Sequence, residues 1–214
     1  MGGIAHLSRL LPLNWHVRST ASIARYTLTH AGVTREGGGL AHIEKNWGSS
    51  FPRGWIWSQS LALDAGKTLC LAGGTALPGI HAYLVGYRSP ACTWDFRPPF
   101  AVAVGHIAPF MRVRHDSVAG TVDLRVQTWT RKLVVKMQAP VDSFVGLPAP
   151  LKNGHKPEYA FESFAASTWI SAWHRRWPFG KWILVEKGPC GQTAEGGPCA
   201  ALEFGGSFSH RVGK

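Results

Sequence analysis

The sequence predicts an all-β protein whose strands close into an antiparallel barrel, and three observations lead to this fold class. The 214 residues include 25 glycines and 14 prolines, which is typical of many turns between short strands. Only 16% of the residues are charged, a low share for a helix-rich soluble chain. Short alternating segments follow one another between Gly/Pro turns, and closure into a barrel would remove their exposed edges. We expect one domain over residues 1–214.

The N-terminal segment has the alternation of a folded strand. Residues 13–19 alternate between polar and apolar side chains, and residues 22–28 continue the pattern. Three consecutive glycines at 37–39 then predict a turn. We therefore expect residues 1–40 to fold and to pair with the strand that carries Glu44.

The stretch around Glu44 is the most informative part of the chain. Gly, Ser and Pro at 48–52 predict a turn, because these residues supply or fix unusual backbone angles. Residues 55–63 then predict a strand with Trp55 and Trp57 on the same side. A strand–turn–strand unit of this kind would hold Glu44 near two indoles.

The next segments continue the strand pattern. A hairpin signal at 64–67 leads into strands that we place at residues 68–72, 81–87 and 92–96. In the second of these strands, one face carries His81, Tyr83 and Tyr87. In the third, the aromatic neighbours of Asp95 point to the opposite face from this carboxylate.

Further short strands follow in the second half of the chain. We place them at residues 100–104, 109–115, 121–129, 133–137, 181–187 and 200–208. The clearest alternation predicts that Val122, Leu124 and Val126 face inward. Residues 145–157 are rich in proline and glycine, and we expect a long loop over a barrel mouth.

Residues 159–182 are dense in aromatic side chains and fit two structures. Trp169, Trp173 and Trp177 have helical spacing. The Ser/Thr content and the closing Trp-Pro pair fit a strand and a turn instead. At most one short helix is therefore expected in the whole chain.

Charge and hydropathy restrict the partners. The net charge of +11 permits binding to nucleic acid or to anionic membranes. The basic residues are scattered, however, and the sequence has no recognisable nucleic-acid module, so we expect no nucleic-acid partner. No apolar run is long enough to span a membrane, and peripheral membrane contact stays open.

The cysteines bear on the compartment. Cys70, Cys92, Cys190 and Cys199 form no C-x-x-C pair, so neither a zinc ribbon nor a thioredoxin-type site is indicated. Cys190 and Cys199 flank a Gly/Pro-rich loop and would form a disulfide in an oxidising compartment. We favour free thiols and a cytoplasmic location, because no secretory signal is visible. Import into an organelle is the alternative, since residues 1–35 are acid-poor and carry several arginines.

The residues around Glu44 resemble the tocopherol cyclase family, whose members carry Glu-Lys-Asn-Trp-Gly, a short turn, Phe-Pro and a Trp-rich strand. This chain has, in the same order, Glu44-Lys45-Asn46-Trp47-Gly48, Phe51-Pro52, Trp55 and Trp57. Residues 72–79 and 201–206 look similar with less force, so the resemblance runs over about residues 13–206. It implies a lipocalin-like β-barrel and a cofactor-free ring closure on a prenylated quinol.

Glu44 and Asp95 are the candidate catalytic acids. If Glu44 faces a barrel interior, burial raises the pKa of its carboxyl, and alkene protonation needs such an acid away from water. Carotenoid hydratases of a similar lipocalin-like group carry Asp-His-Gln-Trp-Gly at the corresponding position. The plainer interpretations are a salt bridge or solvated edge for Glu44 beside Lys45, and an outward ion pair with Arg97 for Asp95.

A second set of residues would bind the substrate. It consists of His42, Trp47, Trp55, Trp57, His81, Tyr83, Tyr87 and Trp94. Indoles stabilise a cation through their π faces, and the tyrosines and histidine would orient a quinol hydroxyl. Packing of the barrel floor is the alternative for the tryptophans.

The sequence indicates neither a metal site nor a cofactor. His42 and Glu44 share a face, but no third ligand lies nearby in the sequence. Phosphate-cradling glycine loops, dinucleotide fingerprints and the hydrolase word G-x-S-x-G do not occur.

The sequence therefore predicts a cofactor-independent cyclase or isomerase that acts on a lipophilic, prenylated or polyene substrate. One alternative is a Diels–Alder-type pericyclase of natural-product biosynthesis, since similar fungal polyketide cyclases guide a reaction by shape alone. The other is a non-catalytic binder of hydrophobic ligands. Members of the tocopherol cyclase family carry a long segment before the Glu-Lys-Asn-Trp-Gly word. The chain thus matches the C-terminal half of longer relatives. It would be a half-protein, a homodimer that rebuilds the missing wall, or a branch of the family with different chemistry.

Overall fold

A computed structural model describes residues 13–61, 66–104, 108–193 and 196–212 of the protein. They form a twelve-stranded antiparallel sheet and a separate two-stranded ribbon. The large sheet curls into a half-barrel, which confirms the prediction of an all-β, lipocalin-like fold. Within these residues a 3-10 turn at Val141–Ser143 is the only helical element, and no helix is long and apolar enough to cross a membrane.

The fourteen strands follow one another along the chain with short connections. They are β1 (Leu13–His30), β2 (Val33–Gly48), β3 (Gly54–Leu61), β4 (Thr68–Leu77), β5 (Ile80–Arg88), β6 (Thr93–Phe96), β7 (Val102–Val104), β8 (Met111–Asp116), β9 (Thr121–Gln127), β10 (Arg131–Gln138), β11 (Val145–Leu151), β12 (Gly154–His174), β13 (Ile183–Cys190) and β14 (Ala200–Gly206). The order in the large sheet is β6-β5-β4-β3-β14-β12-β10-β9-β8. In addition, β7 pairs with β5, while β11 and β13 pair with β12.

Strands β1 and β2 form the ribbon. Their antiparallel register places Val17 opposite Glu44, so the predicted pairing with the Glu44 strand is confirmed from residue 13 onward, and residues 1–12 lie outside the described residues. The turn predicted at 37–39 is wrong, because these glycines lie within β2. A β-bulge interrupts the register between Val17 and Ser22, which bends the ribbon. On one side of this bend the ribbon lies against β3 and β4. On the other side its residues are exposed, including Ile23 at 87%.

Strand β12 joins two parts of the large sheet. Residues 154–166 pair with β11 and β14, whereas residues 167–174 pair with β10 and β13. Side chains from both parts enter one hydrophobic core, in which Ile56 of β3 and Leu133 of β10 are both fully buried. The predicted inward-facing residues of β9, namely Val122, Leu124 and Val126, belong to this core.

In this region one sequence prediction was wrong, and one open alternative is decided. Residues 145–157 are not a loop, because β11 pairs with the start of β12 from Val145 to Leu151. Strand β11 lies at an edge, and its two prolines are tolerated since one row of N–H groups needs no partner there. Residues 159–174 are a strand rather than a helix. A spacing of four residues puts Trp169 and Trp173 on one face of either element.

Two local predictions concern turns and thiols. The hairpin expected at 64–67 falls partly on residues 62–65, which lie outside the described residues. The strands on either side of it do pair, with Leu61 opposite Thr68. All four cysteines are free thiols, so Cys190 and Cys199 are not bonded to each other.

Candidate functional site

One row of the large sheet carries two carboxyl groups and an indole on the face that points away from the main core. Glu162 of β12 lies opposite Glu203 of β14, and Glu203 lies opposite Trp57 of β3. Side chains directly opposite each other on antiparallel strands share a face. Their chain neighbours Leu202 and Ile56 point the other way into the core. The row therefore forms part of an outer surface of the sheet.

The ribbon covers this row and adds a third carboxylate. The Trp57 Nε1–H donates to Glu44 Oε2 at 3.1 Å. The same oxygen lies 2.8 Å from His42 Nε2. The side chains of His42 and Glu44 are only 8% and 19% exposed. Glu44 thus lies where the turn between β2 and β3 folds the ribbon back onto the sheet.

A second indole holds Glu203. The Trp55 Nε1–H donates to Glu203 Oε1. Trp55 is buried and packs with its ring centroid 5.0 Å from that of Phe51 and 6.0 Å from that of Tyr159. Gly205 makes room for this ring, because a Cβ atom on Gly205 would overlap the indole. We call Glu44, Glu162, Glu203, Trp55 and Trp57 the carboxylate–indole site.

Burial and mutual repulsion shift the carboxyl groups of the site toward their neutral form. Burial raises the pKa of Glu203 to about 7; the hydrogen bond from Trp55 acts against this, and the charges of Glu162 and Glu44 add to it. Burial, together with the charge of Glu44, also raises the pKa of Glu162. The site therefore holds a carboxylic acid that keeps its proton up to near-neutral pH.

Two buried N–H donors on this side of the sheet, Trp15 Nε1 and Gln59 Nε2, have no hydrogen-bond partner among the described residues. His42 Nδ1 has none either, but it is an acceptor in the neutral ring, because Nε2–H donates to the Glu44 carboxylate. Gln59 lies on the same face of β3 as Trp57, and Trp15 lies on the ribbon opposite Asn46. Buried donors are nearly always satisfied in folded proteins. The two N–H groups are therefore free to bind an acceptor.

Asp95 lies on the same outer face of the sheet, but it forms an ion pair. Its Oδ1 accepts a hydrogen bond from Arg88 Nη2 at 2.7 Å. The expected ion pair with Arg97 is therefore wrong. Asp95 is opposite Gly86 and Arg88 is opposite Thr93, which brings Asp95 and Arg88 onto one face of β5 and β6. The Asp95 carboxylate is therefore paired with a guanidinium, whereas the carboxyl of Glu203 accepts its hydrogen bond from the neutral Trp55 indole.

The other predicted substrate-binding residues are on the core side of the sheet. Tyr83 and Tyr87 are fully buried, and burial raises the pKa of both. Trp94 packs edge-to-face on a core phenylalanine, and His81 stacks on Phe208 with ring centroids 5.6 Å apart. The structure thus divides the predicted binding residues between two faces of the sheet, and these four do not meet Glu44.

Trp47 occupies a third position. It points away from the sheet, is 45% exposed and lies 5.6 Å from Lys45 Nζ. Adjacent residues of a strand point to opposite faces, so the inward direction of Glu44 sends Lys45 and Trp47 outward. Of the tryptophans predicted around Glu44, the structure brings Trp57 and Trp55 to the site.

Sequence reasoning missed Glu203 and Glu162 as site residues. Glu203 is the single charged residue in the strand Ala200–Gly206, which is a detectable signal of a special environment. Its closeness to Trp55 could not be foreseen, because 148 residues separate the two along the chain.

Two open clefts lie away from the carboxylate–indole site. The first, about 470 Å³, is lined by residues of β6, β10, β12 and β13, including Trp94 and Arg131. The second, about 490 Å³, lies beside Trp169 and Lys136. Within the described part of the chain, no group of three His, Cys, Asp or Glu side chains is placed to hold a metal ion.

Comparison of the chain with protein-family models, with curated proteins and with solved structures gives no match. The resemblance to the tocopherol cyclase family therefore rests on the sequence motifs described above. The feature of the structure that bears on function is the chemistry of the carboxylate–indole site.

Proposed function

We propose that the protein is a cyclase or isomerase that closes a ring on a lipophilic, prenylated or polyene substrate, with a glutamic acid of the carboxylate–indole site as the proton donor. The observation that carries this proposal is the carboxyl of Glu203, whose pKa is raised to about 7 beside Trp55. An acid with a pKa near the working pH is half protonated there and still acidic enough to transfer its proton.

The reaction would need no co-reactant. The Glu203 carboxyl would give its proton to one carbon of a substituted alkene, which leaves a cation on the other carbon. An oxygen or a second double bond of the same substrate would then attack that cation and form the ring bond. The proton released in this step would return to a carboxylate of the site, so the product is an isomer of the substrate.

The neighbouring groups have separate roles in this scheme. Trp55 and Trp57 would stabilise the cation through their π faces. Glu44, which is hydrogen-bonded to Trp57 and His42, would take back the proton. The unpartnered N–H donors of Trp15 and Gln59 would hold a substrate oxygen.

The test is incubation of the protein with prenylquinols and polyenes, followed by mass spectrometry and chromatography. We expect an isomeric product of unchanged mass from the wild type. Glu203→Gln should lower turnover by about 10²-fold or more, because general acids contribute about 10² to 10⁴. Glu36→Gln, an exposed site on the ribbon, is the matched control and should keep full activity.

The alternative functions give different results in the same assay. A pericyclase would keep its turnover in Glu203→Gln, since shape alone guides that reaction. A lipid binder would retain the substrate without converting it in any variant. Either result would contradict the proposed role of Glu203.

A further inference from the structure

The outer face of β10, β12 and β13 carries cations stacked on indoles. Lys132 Nζ lies 4.5 Å from the ring centroid of Trp173 and 4.6 Å from that of Trp182. Arg175 Cζ lies 4.2 Å from the ring centroid of Trp182. We call these four residues and the adjoining turn 176–181 the basic–aromatic face.

Positive charge on this face is poorly compensated. Burial lowers the pKa of Lys132, and the like charges of Arg125 and Arg175 lower it further. The acid of β9 on this side, Asp123, lies in register with two other cations, Arg114 and Lys136. Glu186 of β13 accepts a hydrogen bond from Ser89 at the end of β5. The face therefore has more cations than anions, which suits an anionic partner.

The turn beside these cations exposes large apolar side chains. Trp177 is 55% exposed and Phe179 is 83% exposed, and their rings meet edge-to-face with centroids 6.1 Å apart. Arg176 and Lys181 on either side of them are also exposed. Aromatic side chains flanked by lysine and arginine are characteristic of surfaces that sit in the headgroup region of a bilayer.

We propose that the basic–aromatic face docks the protein on an anionic membrane surface. Trp177 and Phe179 enter the interface, while Arg176 and Lys181 face the lipid headgroups. This docking is independent of the proposed cyclase activity, because it involves the opposite part of the sheet and none of the carboxylate–indole residues.

A single-stranded nucleic acid would also match the positive charge, but the two indoles nearest the cations, Trp173 and Trp182, are not free for base stacking. Proteins that bind single-stranded nucleic acid without sequence preference stack the bases on aromatic side chains whose ring faces are free. Here Lys132 lies between the rings of Trp173 and Trp182, and Arg175 also covers Trp182. These stacking surfaces are already occupied by cations.

The experiment is co-sedimentation of the full chain with phosphatidylcholine vesicles that contain or lack phosphatidylserine. We expect at least about tenfold stronger partition onto the anionic vesicles, since each lysine or arginine near such a surface adds to the attraction. Partition should fall between about 0.1 M and about 1 M salt, over which the screening length shrinks from about 10 Å to about 3 Å. Equal partition onto neutral vesicles at all salt concentrations would overturn the proposal.

Two variants locate the docking face. The double reversal Arg176→Glu/Lys181→Glu should lower partition onto anionic vesicles by at least about tenfold. The matched control is Arg25→Glu/Arg35→Glu, which makes the same change in net charge at exposed positions of the ribbon. If both double variants lose binding equally, net charge alone is responsible and the proposed face is refuted.

A third variant separates lipid from nucleic acid. Trp177→Ala combined with Phe179→Ala should weaken partition onto anionic vesicles, because it removes the side chains that enter the interface. Binding of a labelled single-stranded RNA is measured in parallel. The proposal fails if the RNA binds through Arg176 and Lys181 while the vesicles do not bind at all. Circular dichroism of every variant checks that the fold is kept.

Discussion

Glu203 lies on β14, between β12 and β3, and its carboxyl accepts a hydrogen bond from the Trp55 indole. This environment favours the protonated form. Burial is the largest cause of the raised pKa, and the neighbouring Glu162 and Glu44 increase the shift by repulsion. Trp55 donates its N–H to the carboxyl and partly offsets the loss of water. The proposed proton transfer depends on this one carboxyl group holding its proton near neutral pH.

A pH dependence of stability follows from this environment. The ordinary pKa of a glutamate is 4.5 and that of Glu203 in the folded protein is about 7, so the folded state holds an extra proton between these values. The stabilisation is complete below pH 4.5 and is lost as the pH rises through 7. The loss is of the order of 3 kcal/mol, at about 1.4 kcal/mol per unit of pKa.

Glu203→Gln should remove this dependence. Above pH 7 the free energy of unfolding of the variant should exceed that of the wild type by about 2–3 kcal/mol, because a neutral amide replaces a buried charge. Urea unfolding at a series of pH values measures the difference, with Glu36→Gln as the exposed control. Parallel profiles for the wild type and Glu203→Gln would show that the Glu203 carboxyl is not perturbed.

Gly205 is a second residue whose identity the site requires. A methyl group at this position would overlap the Trp55 ring, so Gly205→Ala should displace the indole and cost about 1–3 kcal/mol. Gly39 has open space at the same atom, and Gly39→Ala should change stability by less than about 1 kcal/mol. Thermal unfolding of both variants makes the comparison. Equal effects would mean that the space above Gly205 is not needed.

At the level of secondary structure, the sequence predicts where strands occur better than it predicts which strands pair with each other. Alternation identified β3, β5 and β9, because each has one face in the core. It failed for β11, where prolines suggested a loop although an edge strand accepts them. In β12 the spacing of tryptophans was compatible with either periodicity. Only pairing with β10 and β13 decides for a strand.

The ribbon β1–β2 is the element that closes the site. Its inner end is held to the sheet by the hydrogen bond between Trp57 and Glu44. Trp57→Phe removes that donor and should free the ribbon, since a hydrogen bond to a charged group contributes about 1.5–3 kcal/mol. Hydrogen exchange should then speed up in residues 40–46 and stay unchanged in β9. Trp47→Phe, at an exposed position of the ribbon, is the control and should leave exchange in both segments as it is.

The candidate site could be predicted only in its local part. Glu44, Trp55 and Trp57 are close along the chain, and a single turn brings them together. Glu203 and Glu162 reach them through pairings of β14 with β3 and with β12 that no local pattern reveals. His81 and the two tyrosines lie on the opposite side of the sheet from Glu44, because their face of β5 meets the core. Alternation shows that these residues share a face, but it does not show which face is buried.

At the scale of the whole molecule, both parts of the sheet share one hydrophobic core. Leu202 of β14 and Leu133 of β10 are each fully buried in the same cluster. We therefore expect one cooperative unfolding transition, as in most domains with a single core. Leu202→Ala and Leu133→Ala should each lower the free energy of unfolding by about 2–5 kcal/mol. Calorimetry would contradict this account if either variant split the transition into two.

The molecule thus presents two different surfaces on one curled sheet. The carboxylate–indole site is on the outer face of β3, β14 and β12, beneath the ribbon. The basic–aromatic face is on the outer side of β10, β12 and β13. An acid whose pKa is raised to about 7 is the chemical centre of the first surface, and the proposed reaction depends on it.

The most direct test of this claim is a carbon-13 NMR titration of the glutamate carboxyl groups in the wild type and in Glu203→Gln. We predict one carboxyl resonance that titrates at a pH of about 7 in the wild type and is missing from the variant. If every glutamate of the wild type titrates near its ordinary value of 4.5, the protein has no neutral acid at this site and the proposed proton donor is excluded.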